Sequence, residues 1–516
     1  MFTRHTSPIA KFSSTTLALA ALSLLAVGAG CGYHGGDMWY GDESYYPGDY
    51  VGGENLDPSS DQFREWDEND FISASEENTS TFSVDVNTAS YTIMRRDLNN
   101  GNLPSPASVR VEEYINFFRF DYPEPVDDNP FSITMEAAPS YFGSDAESET
   151  ERQLLRIGIK GKDVSIDEMK PSNLVFLVDV SGSMNPENRL PLAQKSLHIM
   201  LEYLRPTDTV GIQTYAGGTR TVLEPTPVAE RAKIAQAIDA LSSGGGTAGE
   251  AGIIAAYNMA ESAKIEGGNN RVIIVTDGDF NVGRTGDALV ELVQSYRDRH
   301  ISLTAAGFGL GRFNDATMEG LARKGNGNYF YIDTIEEAQR IFGTHLTSTI
   351  EVIAADVKIQ VEFNEDSVAR YRLVGYEKRV MDNDDFRNDS ADAGEIGPGH
   401  TVTALYELEL HPEQSSPNNL LAEVRVRHKE QYGDESREQS TSVKLSQIAQ
   451  TFNQASDDFR FAAAVAEFAE ILRHSQHSEG ARFFEVRDIA ATSGATGDQW
   501  REEFLTLVET ADNLWQ

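Results

Sequence analysis

Cysteine is almost missing from this 516-residue chain: Cys31 stands alone, so no intrachain disulfide can form and a Cys/His nucleophile would have to be drawn from the N-terminal tail. Positive charge is scarce as well. With 81 acidic against 43 basic residues the formal charge is −38, and a field of that sign repels nucleic acid and anionic headgroups. No nucleic-acid partner is expected. Other patterns are absent too. There is no HExxH, no G-x-S-x-G, no fixed-period repeat, and the one strongly glycine-rich loop lacks the Lys-Ser/Thr of a P-loop. Intrinsic catalysis therefore has no acid/base or nucleophile set to carry it, and the expectation is that the chain is not an enzyme.

What is present begins at the N-terminus. A short basic start (Arg4, Lys11) is followed by an apolar run from Leu17 to Gly30 that ends in small residues, shorter than the ~20 residues of a comfortable membrane span. This is the layout of a bacterial export signal. The stretch Ala-Val-Gly-Ala-Gly-Cys resembles a lipoprotein signal, in which Cys31 is acylated and becomes the new N-terminus, although Gly28 stands where such signals usually have Leu. The alternative is an ordinary cleaved signal that leaves a free thiol. The lipoprotein reading implies export and attachment to the membrane through a lipid on Cys31, with the outer membrane, at its periplasmic or surface face, the expected place.

Composition divides the remainder. Residues 1–30 read as the signal, and 31–78, rich in Gly, Asp, Ser and Tyr without a helical or strand period, as a flexible acidic tether. Residues 79–165 form a further region. In it Val109, Tyr114, Ile115, Phe117 and Phe118 suggest the buried face of a short helix, and FSITMEAAPSYF and LLRIGIKG read as strands. Over 171–346, near-continuous apolar strands (NLVFLVDV, TVGIQTYA, TRTVLEP, RVIIVTD, ISLTAAGF, NYFYID) alternate with amphipathic helices such as 187–204, 229–241, 248–265 and 314–323. That alternation predicts an α/β domain, doubly wound around a mostly parallel sheet. Residues 350–516 form a C-terminal domain. It is β-rich over 354–446, where alternating strands suggest a sandwich or barrel, and helical over 447–516, where Ser456 can cap a helix with Asp457 and Asp458 in its first turn. Strands on both sides of the α/β segment suggest that it is inserted into a composite β module.

One constellation carries chemistry. The apolar strand LVFLV ends in Asp179-Val180-Ser181-Gly182-Ser183, and in an extended tip residues two apart point the same way, so a carboxylate and two hydroxyls converge. A second apolar strand, VIIV, ends in Thr276-Asp277-Gly278-Asp279, and the loop Ser242-Ser243-Gly244-Gly245-Gly246-Thr247 turns tightly enough to bring in Thr247. Ligands of open α/β sheets bind at the carboxyl ends of the strands where the strand order reverses, and hard oxygen donors with few carboxylates suit Mg²⁺. Mn²⁺ and Ca²⁺ are the alternatives, and zinc or copper is poorly matched. Asp279, just beyond, either supports the site or belongs to its loop.

Asp-x-Ser-x-Ser at one strand end, Gly-Gly-Thr, and Thr-Asp-Gly at another together resemble the metal-ion-dependent adhesion site of von Willebrand factor type A domains. The resemblance implies a six-stranded sheet ordered 3-2-1-4-5-6. It implies that Ser181 and Ser183 ligate directly and that Thr247 does so directly or through water, while Asp179 and Asp277 act largely through bound waters. It also implies an open coordination position for the Asp or Glu of a protein partner. Beyond the site, SVRVEEYINFF, DVSGSM, GGGTAG, TDGDFNVG and DAGEIGPGHTVTALYE resemble the YfbK-like bacterial family, with coverage from about residue 79 to the end.

Other candidates read more simply. A haloacid-type phosphatase needs an acid where Ser181 stands. The acids of Met381–Asp389 lack EF-hand spacing and suit a solvated loop. His474 and His477 lie near a helix end, where a cation is favourable without any metal. The expected function is a cell-envelope lipoprotein that binds a protein ligand through Mg²⁺, in adhesion, envelope assembly or signalling. The alternatives are a non-catalytic subunit that recruits an enzyme partner, and a scaffold with a vestigial site.

Overall fold

The computed structural model describes residues 61, 63, 66–142, 152–246, 249–278, 286–309, 314–411, 416–430 and 435–515, with the side chains of 286–288 excepted. The expected export signal, Cys31, residues 32–60, 62, 64 and 65 of the expected tether, Thr247 and Asp279 lie outside the described residues, whereas residues 66–78, read from the sequence as the end of a flexible tether, are folded: Ile72–Ser73 is a strand that pairs with Tyr371 and Arg370, and Ala74 is buried.

Six strands build the α/β domain: β1 (Ser172–Asp179), β2 (Thr209–Tyr215), β3 (Thr219–Pro227), β4 (Asn269–Thr276), β5 (Ser302–Phe308) and β6 (Tyr329–Ile332). They lie in the order β6-β5-β4-β1-β2-β3, all parallel except β3, which runs antiparallel to β2 at the edge. In chain numbering this is the 3-2-1-4-5-6 order. Strand β1 is buried along its whole length because both faces of the sheet are covered. Leu174, Phe176 and Val178 face Leu197, Met200 and Ile234 of one helix layer. Val175 and Leu177 face Ile253, Tyr257 and Met318 of the other, together with Ile93 from a helix that precedes the domain. The polar outer residues of β3 explain its place at the edge, since only Leu223 and Thr226 of that strand are buried. A helix at Gly286–Arg297, absent from the sequence reading, completes the second layer.

The remaining strands form two sheets with a shared core. One holds Ile72–Ser73, Val368–Val374, Thr401–Leu410, Arg152–Gly161 and Phe131–Pro139 in that spatial order, and the other holds Val380–Met381, Thr79–Ser83, Ala354–Phe363, Leu420–Lys429 and Arg437–Lys444. Ile157 and Tyr406 of the first pack with Phe82, Val361 and Val424 of the second, which makes a sandwich. Each sheet contains strands from both sides of the α/β domain. Thr401–Leu410 pairs with Arg152–Gly161, and Ala354–Phe363 pairs with Thr79–Ser83, all antiparallel. The α/β domain is thus an insertion between halves of one β module.

Three C-terminal helices, Asp457–Leu472, Phe483–Ala491 and Gln499–Leu514, enclose the aromatic cluster Tyr91, Tyr114, Phe117 and Phe118 of the N-terminal region. The first begins where the Ser456 hydroxyl accepts the Phe459 N–H at 3.2 Å, with Asp457 and Asp458 in its first turn. Among the described residues no helix is long and apolar enough to cross a membrane.

Candidate metal centre

Neighbouring parallel strands β1 and β4 end side by side, with Val178 opposite Val275, so the loops that follow Asp179 and Thr276 leave the same sheet edge together. Strand β2 ends at Tyr215 opposite Asp179 on the other flank. The site therefore lies at the point where connections run to opposite sides of β1, the crevice that open α/β sheets use for ligands.

Asp179 is fully buried and its carboxylate is held from three directions. One oxygen accepts the Ser181 N–H at 2.8 Å, and the other accepts the Tyr215 hydroxyl at 2.9 Å and the Thr276 hydroxyl at 3.2 Å. Burial, and to a smaller extent the charge of Asp277, raise its pKa against these hydrogen bonds, which lower it. Asp179 thereby fixes the turn that presents the serines. The Ser181 and Ser183 hydroxyl oxygens stand 2.9 Å apart, with Ser181 buried and Ser183 exposed at the mouth. The glycine loop is tied to this turn by backbone bonds, Gly182 N–H to Gly245 carbonyl at 3.2 Å and Gly244 N–H to Val180 carbonyl at 2.7 Å. Gly245, at φ +98°, takes a conformation that disfavours any other residue. Gly244 and Gly245 are therefore docked beside the Val180–Gly182 turn.

Asp277 is 4% exposed. Its Oδ2 accepts Nη1–H of Arg189 at 2.7 Å, and the same Nη1 reaches the Ser183 carbonyl at 2.6 Å. Oδ1 is buried and has no hydrogen-bond partner among the described residues. A buried carboxylate oxygen without a donor is costly, and a cation bound directly or through water is one way of satisfying it. With two convergent hydroxyls and two carboxylates, all donors oxygen, the residues fit Mg²⁺. The sequence reading named Asp179, Ser181, Ser183 and Asp277, and the fold brings these four together. It did not name Arg189 or Tyr215, and it gave Thr276 only as the first residue of the Thr-Asp-Gly motif, without its bond to Asp179. Tyr215 closes a strand whose in-register neighbour is Asp179, a cross-strand relation that local spacing does not show.

A second carboxylate group was also not named. Asp85, Glu112 and Glu113 place oxygens within 4.8 Å of one another in the interior. Cations already occupy it: Arg379 bonds Asp85 at 2.8 Å, Lys378 reaches Glu113 at 2.6 Å, and Arg110 reaches Glu113 at 2.6 Å. His474 stacks on Trp515 and His477 meets Phe71 edge-on, so both are aromatic packing groups. The acids of Met381–Asp389 surround a short 3₁₀ turn, where Lys358 donates to the Asp385 carbonyl at 3.0 Å and Asp389 accepts from Arg427 at 2.8 Å.

Known proteins share these features. The family described as von Willebrand factor type A domain matches residues 173–344, the family described as von Willebrand factor matches 57–148, and that described as uncharacterized protein YfbK, C-terminal, matches 348–514. A solved von Willebrand factor type A structure from Catenulispora acidiphila is 15% identical, covers 76% of this chain and 91% of its own, and has a TM-score of 0.44. The ArnB paralog VWA2 from Sulfolobus acidocaldarius is 16% identical, covers 75% and 98%, and has a TM-score of 0.37. Uncharacterized protein sll0103 of Synechocystis is 28% identical over 38% of this chain and 46% of its own. Uncharacterized protein YfbK of Escherichia coli K12 is 37% identical over 89% of this chain and 82% of its own length, and the chain belongs to the YfbK family of von Willebrand factor type A domain proteins.

Proposed function

We propose that this chain is an exported lipoprotein, anchored in the bacterial cell envelope through Cys31, that binds an acidic side chain of a protein partner through Mg²⁺ at Asp179, Ser181, Ser183, Thr247 and Asp277. The type A domain itself points to protein interaction or adhesion. The observation that carries the finer reading is the buried Oδ1 of Asp277, which has no hydrogen-bond partner among the described residues, beside the paired hydroxyls of Ser181 and Ser183. Mg²⁺, when bound, supplies an open coordination position and positive charge for an incoming Asp or Glu carboxylate. The chain's own residues prepare that position. Tyr215 and Thr276 hold Asp179, Asp179 holds the Ser181 backbone, and Arg189 joins the Ser183 and Asp277 loops.

Two measurements test the proposal. Calorimetry should find one Mg²⁺ site in wild type and none in Asp179→Ala, and partner capture from envelope extracts should be lost in EDTA and restored by excess Mg²⁺. Asp179→Ala protein that captures partners as well as wild type would overturn it. Mass spectrometry of the mature protein tests the anchor independently: unmodified Cys31 would remove the lipid and leave the metal reading standing.

A further inference from the structure

A small cavity of about 40 Å³ lies where three stretches distant in sequence meet: Asn116–Arg119 of the N-terminal region, Arg340–Thr349 at the end of the α/β domain, and His400–Thr401 of the β module. Its lining is rich in basic side chains, two of them guanidiniums, in a protein whose formal charge is −38. Arg119, Arg340, His345 and His400 all contribute to it.

The polar groups around the cavity divide into saturated and unsaturated ones. The Asn116 side chain is spent on the Tyr376 hydroxyl and the Thr403 N–H, and the Thr349 hydroxyl on the carbonyls of Ile341 and His345. Thr88 accepts from Arg340. The donors are not spent in this way. Arg340 is 8% exposed, stacks on the Phe117 ring at 4.3 Å and gives Nε and Nη2 to Glu337, while its Nη1 makes no hydrogen bond among the described residues. Arg119 enters from the surface and gives Nη2 to the Ser348 hydroxyl at 3.1 Å. No carboxylate lies within ion-pair distance of it among the described residues. The acid that acts on it from further off is Asp163, which is also shared with Lys160 at 3.8 Å. His400 accepts the Gly397 N–H on Nδ1 at 3.0 Å, which leaves the proton of its neutral ring on Nε2 as a donor. The His345 ring has no hydrogen bond among the described residues. Burial, and then the charges of Arg119 and Arg340, hold both rings neutral, with His400 pushed down to about 3 and His345 further.

Two guanidiniums and two imidazole N–H groups thus converge on a space with spare donors and one carboxylate, Glu337, that is engaged on the far edge of Arg340. Such a set needs acceptors and negative charge. A water requires about 10–15 Å³ of such volume, so the cavity holds about three to four oxygen-sized atoms, enough for a carboxylate or for the leading oxygens of a phosphate. We propose that this junction is a binding site for a compact oxyanion, a phosphate or carboxylate group, gripped by Arg119, Arg340, His345 and His400. Arg340 and His345 also line a groove of about 420 Å³ with Ile199, Ile335, Trp500 and the acidic Glu336, and its apolar members give room for an organic group that carries the oxyanion. Because the site joins three parts of the chain, its occupant ties them together.

The experiment is titration calorimetry of the whole protein with inorganic phosphate, in EDTA so that the metal centre plays no part, at constant ionic strength set with chloride. Wild type is expected to bind one phosphate saturably, Arg119→Gln to bind it at least about tenfold more weakly, and Arg119→Lys to fall between. Arg119 is exposed, so circular dichroism of Arg119→Gln should match wild type, and Asp179→Ala should bind phosphate normally. In the imidazole ¹⁵N spectrum, phosphate should raise the apparent pKa of His400 in wild type and leave it in place in Arg119→Gln. A phenyl phosphate arm separates the sources. If it binds more tightly than phosphate and Trp500→Ala removes the difference, the oxyanion belongs to an organic ligand, and if phosphate binds as well or better, a free anion is the occupant. Wild-type phosphate binding no stronger than that of chloride, or equal binding by Arg119→Gln, would overturn the site.

Discussion

Arg189 places its charge at the proposed metal centre. Its guanidinium neutralises a buried carboxylate, Asp277, in the absence of any ion, and its stem lies against Gly309, where a Cβ would fall 2.4 Å from Nε. Removal of the cation leaves Asp277 buried and unpaired, a loss of about 3–5 kcal/mol for a broken buried pair. The same removal takes a positive charge away from the Mg²⁺ position. Arg189→Met is therefore expected to be less stable than wild type in EDTA, to bind Mg²⁺ about tenfold or more tightly, and to regain part of its stability when Mg²⁺ is added. Calorimetry and denaturant melts with and without Mg²⁺ check both signs, and unchanged affinity would place Arg189 outside the ion's field. The proposed ligands could be read from the sequence because each sits just beyond an apolar strand or in a glycine loop. Arg189 was not, because its contact with Asp277 spans 88 positions and depends on the packing of Gly309.

Helix and strand types follow from local pattern, while their partners do not. The helix Asp457–Leu472 could be read from its cap, its acidic first turn and its apolar stripe, since Phe461, Ala464, Val465, Phe468 and Leu472 are all buried. What the pattern could not show is that Ser456 also donates its N–H and hydroxyl to Glu136, both at 2.7 Å, which fastens the helix start to the strand Phe131–Pro139. Ser456→Ala removes both the cap and the hydroxyl bond, and a fall of about 1–2 kcal/mol in unfolding free energy is expected. Ser456→Asp should keep the cap but repel Glu136, so it should recover only part of that loss. Urea melts of the three proteins separate the contributions. The edge strand β3 makes the same point for sheets: its polar residues mark an edge, but the antiparallel pairing with β2 is a tertiary choice.

Across the whole molecule, ion pairs stitch the inserted domain to its surroundings. Arg95, on the N-terminal helix Ala89–Asn99, is fully buried and reaches Asp333 at 2.5 Å and Glu337 at 3.2 Å in the α/β domain, and Glu503 at 3.2 Å in the last helix. Arg95→Met leaves Asp333 and Glu337 short of a cation, so a loss of about 3–5 kcal/mol is expected. The unfolding transitions read by tryptophan fluorescence and by circular dichroism are expected to lie further apart in Arg95→Met than in wild type. The other junction, around His345 and His400, governs acid stability. Both rings have pKa values depressed in the folded protein relative to 6.5, so the unfolded chain binds more protons below that pH. Their contribution is full above pH 6.5 and is lost as pH falls, by about 1 kcal/mol for each ring between pH 7.5 and 5.5. Buried acids oppose this. Glu112 is pushed up to about 7 and Asp97 to about 6 by burial, so the native state takes up their protons in the same window and gains stability as pH falls. The net slope of wild type therefore mixes both signs, and the difference from a His345→Gln, His400→Gln variant isolates the rings. Wild type is expected to lose about 2–3 kcal/mol more than the double variant from pH 7.5 to 5.5, measured by urea melts. Phosphate should shrink that difference, because an oxyanion beside Arg119 and Arg340 supplies the charge that lets the two rings accept protons in place.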